Sequence, residues 1–133
     1  MNGNGGTNPN KTIRARSGNL EFVNSGNTAI ISTLTDGGTW SATDFIATSD
    51  KGLKKKITEK RPNDRLADLL RLCTWLWKKT GAEGCGVIAQ EVQKVAPEYV
   101  HAGPDGVLGV DKAGLALECV IGLAARVRAL EGN

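Results

Sequence analysis

Between residues 12 and 45 the chain alternates. TIRAR, NLEFVN and TAIISTLT set polar and apolar side chains in turn, and Ser17-Gly18-Asn19, Ser25-Gly26-Asn27 and Asp36-Gly37-Gly38 separate them. A period of two between Gly and Asn turns is the pattern of short strands joined as hairpins. The stretch is therefore expected to be β. It is too short to bury a core of its own, so the pattern predicts company from sister chains or from a larger β shaft.

The text changes behind this segment. After Asn63 and Asp64, both able to cap, RLADLLRLCTWLWKK places Leu66, Leu69, Leu70, Cys73, Leu76 and Trp77 at helical spacing, which predicts an amphipathic helix ended by Thr80-Gly81. Trp75 and Trp77, two apart, cannot face one core from a helix, so one is assigned to the protomer and the other to a subunit contact. Gly86-Val87-Ile88 reads as a short buried strand, and AQEVQKV as a brief helix with Val92 and Val95 inward, stopped by Pro97. Residues 98–101 and 107–110 flank Gly103-Pro104-Asp105-Gly106, a hairpin signal that leaves His101 in a strand beside a turn. Asp111 can cap a last helix running to about Leu130. On it Val120, Leu123, Val127 and Leu130 are spaced three, four and three apart, which fits both a coiled-coil seam and an ordinary packed helix.

A chain of 133 residues with 40% apolar content supports one core. The formal charge of +3 arises mostly between Lys51 and Arg61. A lysine cluster without interleaved aromatics reads as a solvated face, so no nucleic-acid partner is expected. No apolar run approaches the roughly 18 residues of a spanning helix, and no membrane partner is expected. MNGNGGTNPN lacks the charged start and apolar middle of a signal peptide and reads as a flexible lead-in. Cys73, Cys85 and Cys119 have no CxxC spacing and are read as reduced thiols serving as small apolar core residues. With His101 the only histidine, no metal site and no cofactor is expected.

The stretch TSDKGLKKKI, residues 48–57, carries the chemistry. A serine hydroxyl needs a base within hydrogen-bond reach to become a nucleophile. An uncharged lysine can be that base, a state that burial and neighbouring cations favour. Lys54 follows Ser49 by five residues, a separation a tight turn closes, and Lys51, Lys55 and Lys56 flank it. Spacing alone leaves both a Ser-Lys pair and a solvated basic loop open.

TSDKGLKKKI, then GVIAQEVQKVAPEYV, then DGVLGVDKAGLALECVIGLAARV together resemble the C-terminal intramolecular chaperone of bacteriophage tailspikes and tail fibres, a self-cleaving serine peptidase family with a related domain in myelin regulatory factor. The family pattern runs Ser-Asp-x-Arg-Leu-Lys-x-Asn-Ile, then Gly-[Val/Ile]-Ile-Ala-Gln-[Glu/Asp]-Val with Pro-Glu soon after, then Val-Asp at the head of a long helix. Ser49, Asp50, Leu53, Lys54 and Ile57 match the first block. Residues 86–92 with Pro97-Glu98 match the second, and Val110-Asp111 the third. Gly52 and Lys56 depart from it, standing where the family usually has arginine and asparagine.

The resemblance implies an α+β fold: a short N-terminal β segment, residues 1–48, as the end of a fibre shaft, then a mixed chaperone and autoprotease domain, residues 49–133, with a long C-terminal helix, assembled as an intertwined homotrimer. It implies cleavage between Thr48 and Ser49, with Ser49 as nucleophile, Lys54 as base and Asp50 in a supporting role or simply in a turn. The same resemblance implies assembly in the host cytoplasm and a parent protein in the virion tail. A non-cleaving trimerisation chaperone is the alternative reading.

Overall fold

The computed structural model describes residues 11–132, and the lead-in 1–10 lies outside them. The chain divides into two compact units, one ending at Lys56 and the other beginning at Ile57. The architecture is α+β, with strands first and a long helix last, as the sequence predicts.

The first unit is an antiparallel meander of β1 (Thr12–Arg16), β2 (Asn19–Val23), β3 (Ile30–Thr35) and β4 (Trp40–Ala42), in that spatial order. Arg16 pairs with Asn19, leaving a two-residue turn whose Ser17 and Gly18 both have positive φ, at 49° and 76°. That is the type I′ turn, whose twist matches the strands it joins. Asn24 builds the next turn, its Oδ1 accepting the N–H groups of Thr28 at 2.9 Å and Ala29 at 3.1 Å. Register gathers the apolar letters on one face: Ile13 lies opposite Phe22, Ala15 opposite Leu20, Leu20 opposite Leu34, and Leu34 opposite Trp40. Phe22 stacks on Trp40 at 5.8 Å between ring centroids, and the Trp40 Nε1 donates to Ser32 Oγ. Ile13, Leu20 and Trp40 nevertheless stay exposed, while Glu21, bonded by Arg14 Nε at 2.6 Å, and Val23 are buried.

The second unit has a small core of Leu66, Val92, Ala96 and Leu115, lined by Leu70, Val87, Val95, Tyr99, Val100, Val110 and Cys119. Its elements are α1 (Leu66–Leu69), β5 (Cys73–Leu76), β6 (Glu83–Gly86), α2 (Ala89–Val95), a 3-10 turn at Pro97–Tyr99, β7 (Val100–Ala102), β8 (Leu108–Val110) and α3 (Lys112–Leu130). The brief helix, the hairpin around Gly103-Pro104-Asp105-Gly106 and the last helix fall where the sequence predicts, with His101 in β7. Asp111 caps α3, its Oδ1 accepting the Gly114 N–H at 2.9 Å.

The expected amphipathic helix from residue 65 onward is corrected. One turn, α1, forms, with Asn63 Oδ1 accepting the Arg65 N–H at 3.0 Å. The chain then extends into a β5–β6 hairpin pairing Trp75 with Gly84 and Cys73 with Gly86. Thr74-Trp75-Leu76-Trp77 suits a pleated strand better than a helix. The glycines opposite decide it: a Cβ at Gly84 would collide with the Trp75 indole, which lies over the bare backbone of β6. Trp75 and Trp77 fall on one side of the strand and meet edge to face at 5.8 Å. The predicted strand at Gly86-Val87-Ile88 is therefore shifted earlier, to β6. The cysteines are corrected too: Cys119 packs against the core, but Cys85 is exposed.

On α3, Leu115, Glu118 and Gly122 are buried at spacings of three and four. Gly122 sits beneath the chain entering α1, where a Cβ would stand 2.5 Å from the Asn63 carbonyl oxygen. Arg126, one turn on, holds Asp68 at 2.7 Å. The coiled-coil-spaced residues Val120, Leu123, Val127 and Leu130 are exposed in the single chain. Among the described residues, no helix is long and apolar enough to cross a membrane. Gly122→Ala is expected to destabilise the second unit by about 1–3 kcal/mol through overpacking against rigid backbone, read as a lower urea midpoint at unchanged slope.

Candidate functional site

Behind β4 the chain runs without strand partners, and every residue from 43 to 61 is exposed. Within it Asp50 starts a single 3-10 turn, Lys51–Leu53. Its Oδ1 accepts the Gly52 N–H at 2.6 Å, and its carbonyl accepts the Leu53 N–H at 3.2 Å. The Lys51 carbonyl accepts the Lys54 N–H at 3.1 Å. This turn brings Lys54 back over the start of the loop, where its Nζ donates to Ser49 Oγ at 2.7 Å.

Ser49 and Lys54 are therefore within the hydrogen-bond reach that a nucleophile and its base require. In the ammonium form lysine is the donor; in the uncharged form the hydroxyl proton can pass the other way along the same line. Asp50 spends its side chain on the turn. Thr48, whose carbonyl precedes Ser49, lies in the exposed stretch without regular structure that leads in. Among the described residues, no cluster of three or more His, Cys, Asp or Glu side chains is placed to hold a metal ion.

The two departures from the family pattern acquire a physical setting. Gly52 does not occupy the left-handed region, and a Cβ there would stand 3.1 Å from Asp50 Oδ1, a contact that a small carboxylate shift relieves. Lys56 has φ of 51°, a left-handed conformation that asparagine tolerates better than lysine. Asparagine at this place in the pattern suits such a backbone.

A second polar constellation, which sequence reasoning missed, lies in the folded second unit. Glu118 on α3 is buried, at 7% exposure, and its carboxylate accepts Lys60 Nζ at 2.6 Å, the Asn63 N–H at 3.1 Å and the Tyr99 hydroxyl. Lys60 also donates to Glu98 Oε1 at 3.0 Å and stands 5.4 Å from the Tyr99 ring centroid. The Lys60 ammonium, with help from the Tyr99 hydroxyl, holds the Glu118 carboxyl below its ordinary range against the opposing effect of burial. Glu118 and then Glu98 raise Lys60 in return. One signal was available: Glu118 is the only charged residue between 113 and 125. Gln90 is exposed, while Glu91 makes a two-pronged ion pair with Arg71, Nε to Oε2 at 2.9 Å and the terminal nitrogen to Oε1, tying α2 to the chain entering β5.

A carboxyl held down in the folded state stabilises above its unfolded range and loses that contribution as pH falls through its folded value. Glu118→Gln is expected to cost about 1–3 kcal/mol at pH 7. That difference from the parent should shrink as urea titrations are repeated at falling pH below about 4.

Residues 49–101 match the family model Peptidase_S74, described as chaperone of endosialidase. No curated protein matches the chain. One similar solved structure is the carboxy-terminal domain of the bacteriophage T5 L-shaped tail fiber with its intra-molecular chaperone domain, at 17% identity and a TM-score of 0.46. The match covers 86% of this chain, which spans 44% of the length of that one. The match begins at Ser49 and takes in GVIAQEV, and so covers the first two of the three blocks on which the resemblance of the sequence rests.

Proposed function

We propose that this chain is the end of a phage tail-fibre or tailspike protein, with a β segment over residues 1–48 and an intramolecular chaperone over 49–133. It assembles as a homotrimer and releases itself by cutting between Thr48 and Ser49. The 2.7 Å hydrogen bond between Lys54 Nζ and Ser49 Oγ carries the catalytic part of this reading. The family match over 49–101, which begins at the proposed nucleophile, supports the chaperone part.

In the reaction, uncharged Lys54 takes the Ser49 hydroxyl proton as Oγ attacks the Thr48 carbonyl carbon. The tetrahedral intermediate expels the Ser49 nitrogen, which receives that proton from Lys54. The product of this N-to-O shift is an ester joining the Thr48 carbonyl to Ser49 Oγ. Water then adds to the ester and the carbon–oxygen bond breaks, leaving a Thr48 carboxylate and a Ser49 with free hydroxyl and amine. No cofactor takes part. Exposure of the whole loop gives water access to the ester.

Assembly gives the two units their roles. The exposed apolar face of the sheet and the exposed seam of α3 both support contact with sister chains. Aligning three β segments in register is slow and prone to slippage, and a module that trimerises first raises their effective concentration. This takes place in the host cytoplasm, and the finished shaft enters the virion. Release then makes the shaft's stability kinetic. An assembly chaperone that does not cut is the second reading, favoured by the exposure of both Ser49 and Lys54.

Intact mass under denaturing conditions separates the readings. The parent is expected to yield fragments 1–48 and 49–133, and Ser49→Ala and Lys54→Ala a single full-length mass. A full-length mass for the parent too, in a sample shown to be trimeric, would leave the non-cutting chaperone.

A further inference from the structure

Resting on the Ser-Lys reading, we propose that Asp50 is a positioning residue that acts through the Gly52 amide and not through Lys54. Its Oδ1 accepts the Gly52 N–H at 2.6 Å while its carbonyl accepts the Leu53 N–H, so one residue closes the turn from both side chain and backbone. The turn in turn delivers Lys54, whose backbone N–H is tied to the Lys51 carbonyl at 3.1 Å and whose Nζ reaches Ser49 Oγ. Asp50 has φ of −62° and ψ of 131°, the extended conformation of a capping residue whose side chain reaches forward two positions.

Gly52 belongs to the same device. Its backbone N–H is the donor that the carboxylate holds, and the residue does not occupy the left-handed region, so the bond depends on that N–H and on the side chain of residue 50. Residue 50 therefore needs an acceptor oxygen in the right place and does not need a charge. Asparagine offers that oxygen and alanine does not.

The test follows first-order cleavage of the full chain made by cell-free translation, for the parent, Asp50→Ala, Asp50→Asn and Lys54→Ala, over a range of pH. Asp50→Ala is expected to slow cleavage by about two- to thirty-fold, the population lost with one cap. Asp50→Asn is expected to recover most of that loss and to keep the pH profile of the parent. Asparagine as slow as alanine, or a displaced profile in Asp50→Asn, would overturn the proposal and make Asp50 an electrostatic partner of the lysine. Equal rates for Asp50→Ala and the parent beside an uncut Lys54→Ala would overturn it while leaving the Ser-Lys reading intact. A parent that stays whole, or a Lys54→Ala that cuts normally, would remove both.

Discussion

A carboxylate taken out of water must be given donors, and Glu118 receives them from three parts of the second unit: the chain at Lys60, the backbone of Asn63 and the hydroxyl of Tyr99. The requirement fixes more than one side chain. It sets the rotation of α3 about its own axis, because Glu118 must face the segment leading into α1. Leu115 is then directed into the core, Gly122 under Asn63 and Arg126 towards Asp68. Everything on the other side of the helix, including Val120 and Val127, is left facing outward. A polar bond inside thus selects which apolar surface is available outside.

The parts of the fold that were legible in the sequence are those whose signals are local. Ser17-Gly18 carries the positive φ angles of its own turn, Asp111 accepts from an amide three residues on, and Pro97 stops the helix just before it. The turn that carries Lys54 to Ser49 is equally local, spanning only residues 50–54, yet spacing left a solvated basic loop open beside it. The hairpin over β5 and β6 was not legible because leucines at 66, 69, 70 and 76 imitate a helix face. What overrides them is Gly84 and Gly86, which lie too far along the chain for helical periodicity to register and make room for Trp75. The Glu118 network joins residues as many as 58 apart, where no periodicity reaches. The left-handed backbone at Lys56 was hidden for a different reason, since lysine gives no hint of it.

The two units share an imbalance in how they distribute apolar surface. In the sheet, the face bearing Ile13, Leu20 and Trp40 is open, while Glu21 on the other face is covered and paired with Arg14. On α3, the buried stripe contains an acid and a glycine, while leucine, valine and isoleucine face outward. An arrangement of this kind spends its polar groups on internal order and keeps its apolar ones for association. The proposed homotrimer would make use of both surfaces.

The long exposed run from 43 to 61 has a practical consequence. It carries Lys51, Lys54, Lys55, Lys56, Lys60 and Arg61 without a strand to protect its backbone. Accessible extended segments are the preferred targets of outside proteases, and one with trypsin-like taste would find several bonds here. Host or laboratory digestion would then part the chain near the proposed cleavage bond and mimic the proposed self-processing on a gel. Only the identity of the new terminal residue, Ser49 or a residue after a basic side chain, distinguishes the proposed chemistry from that of the surroundings.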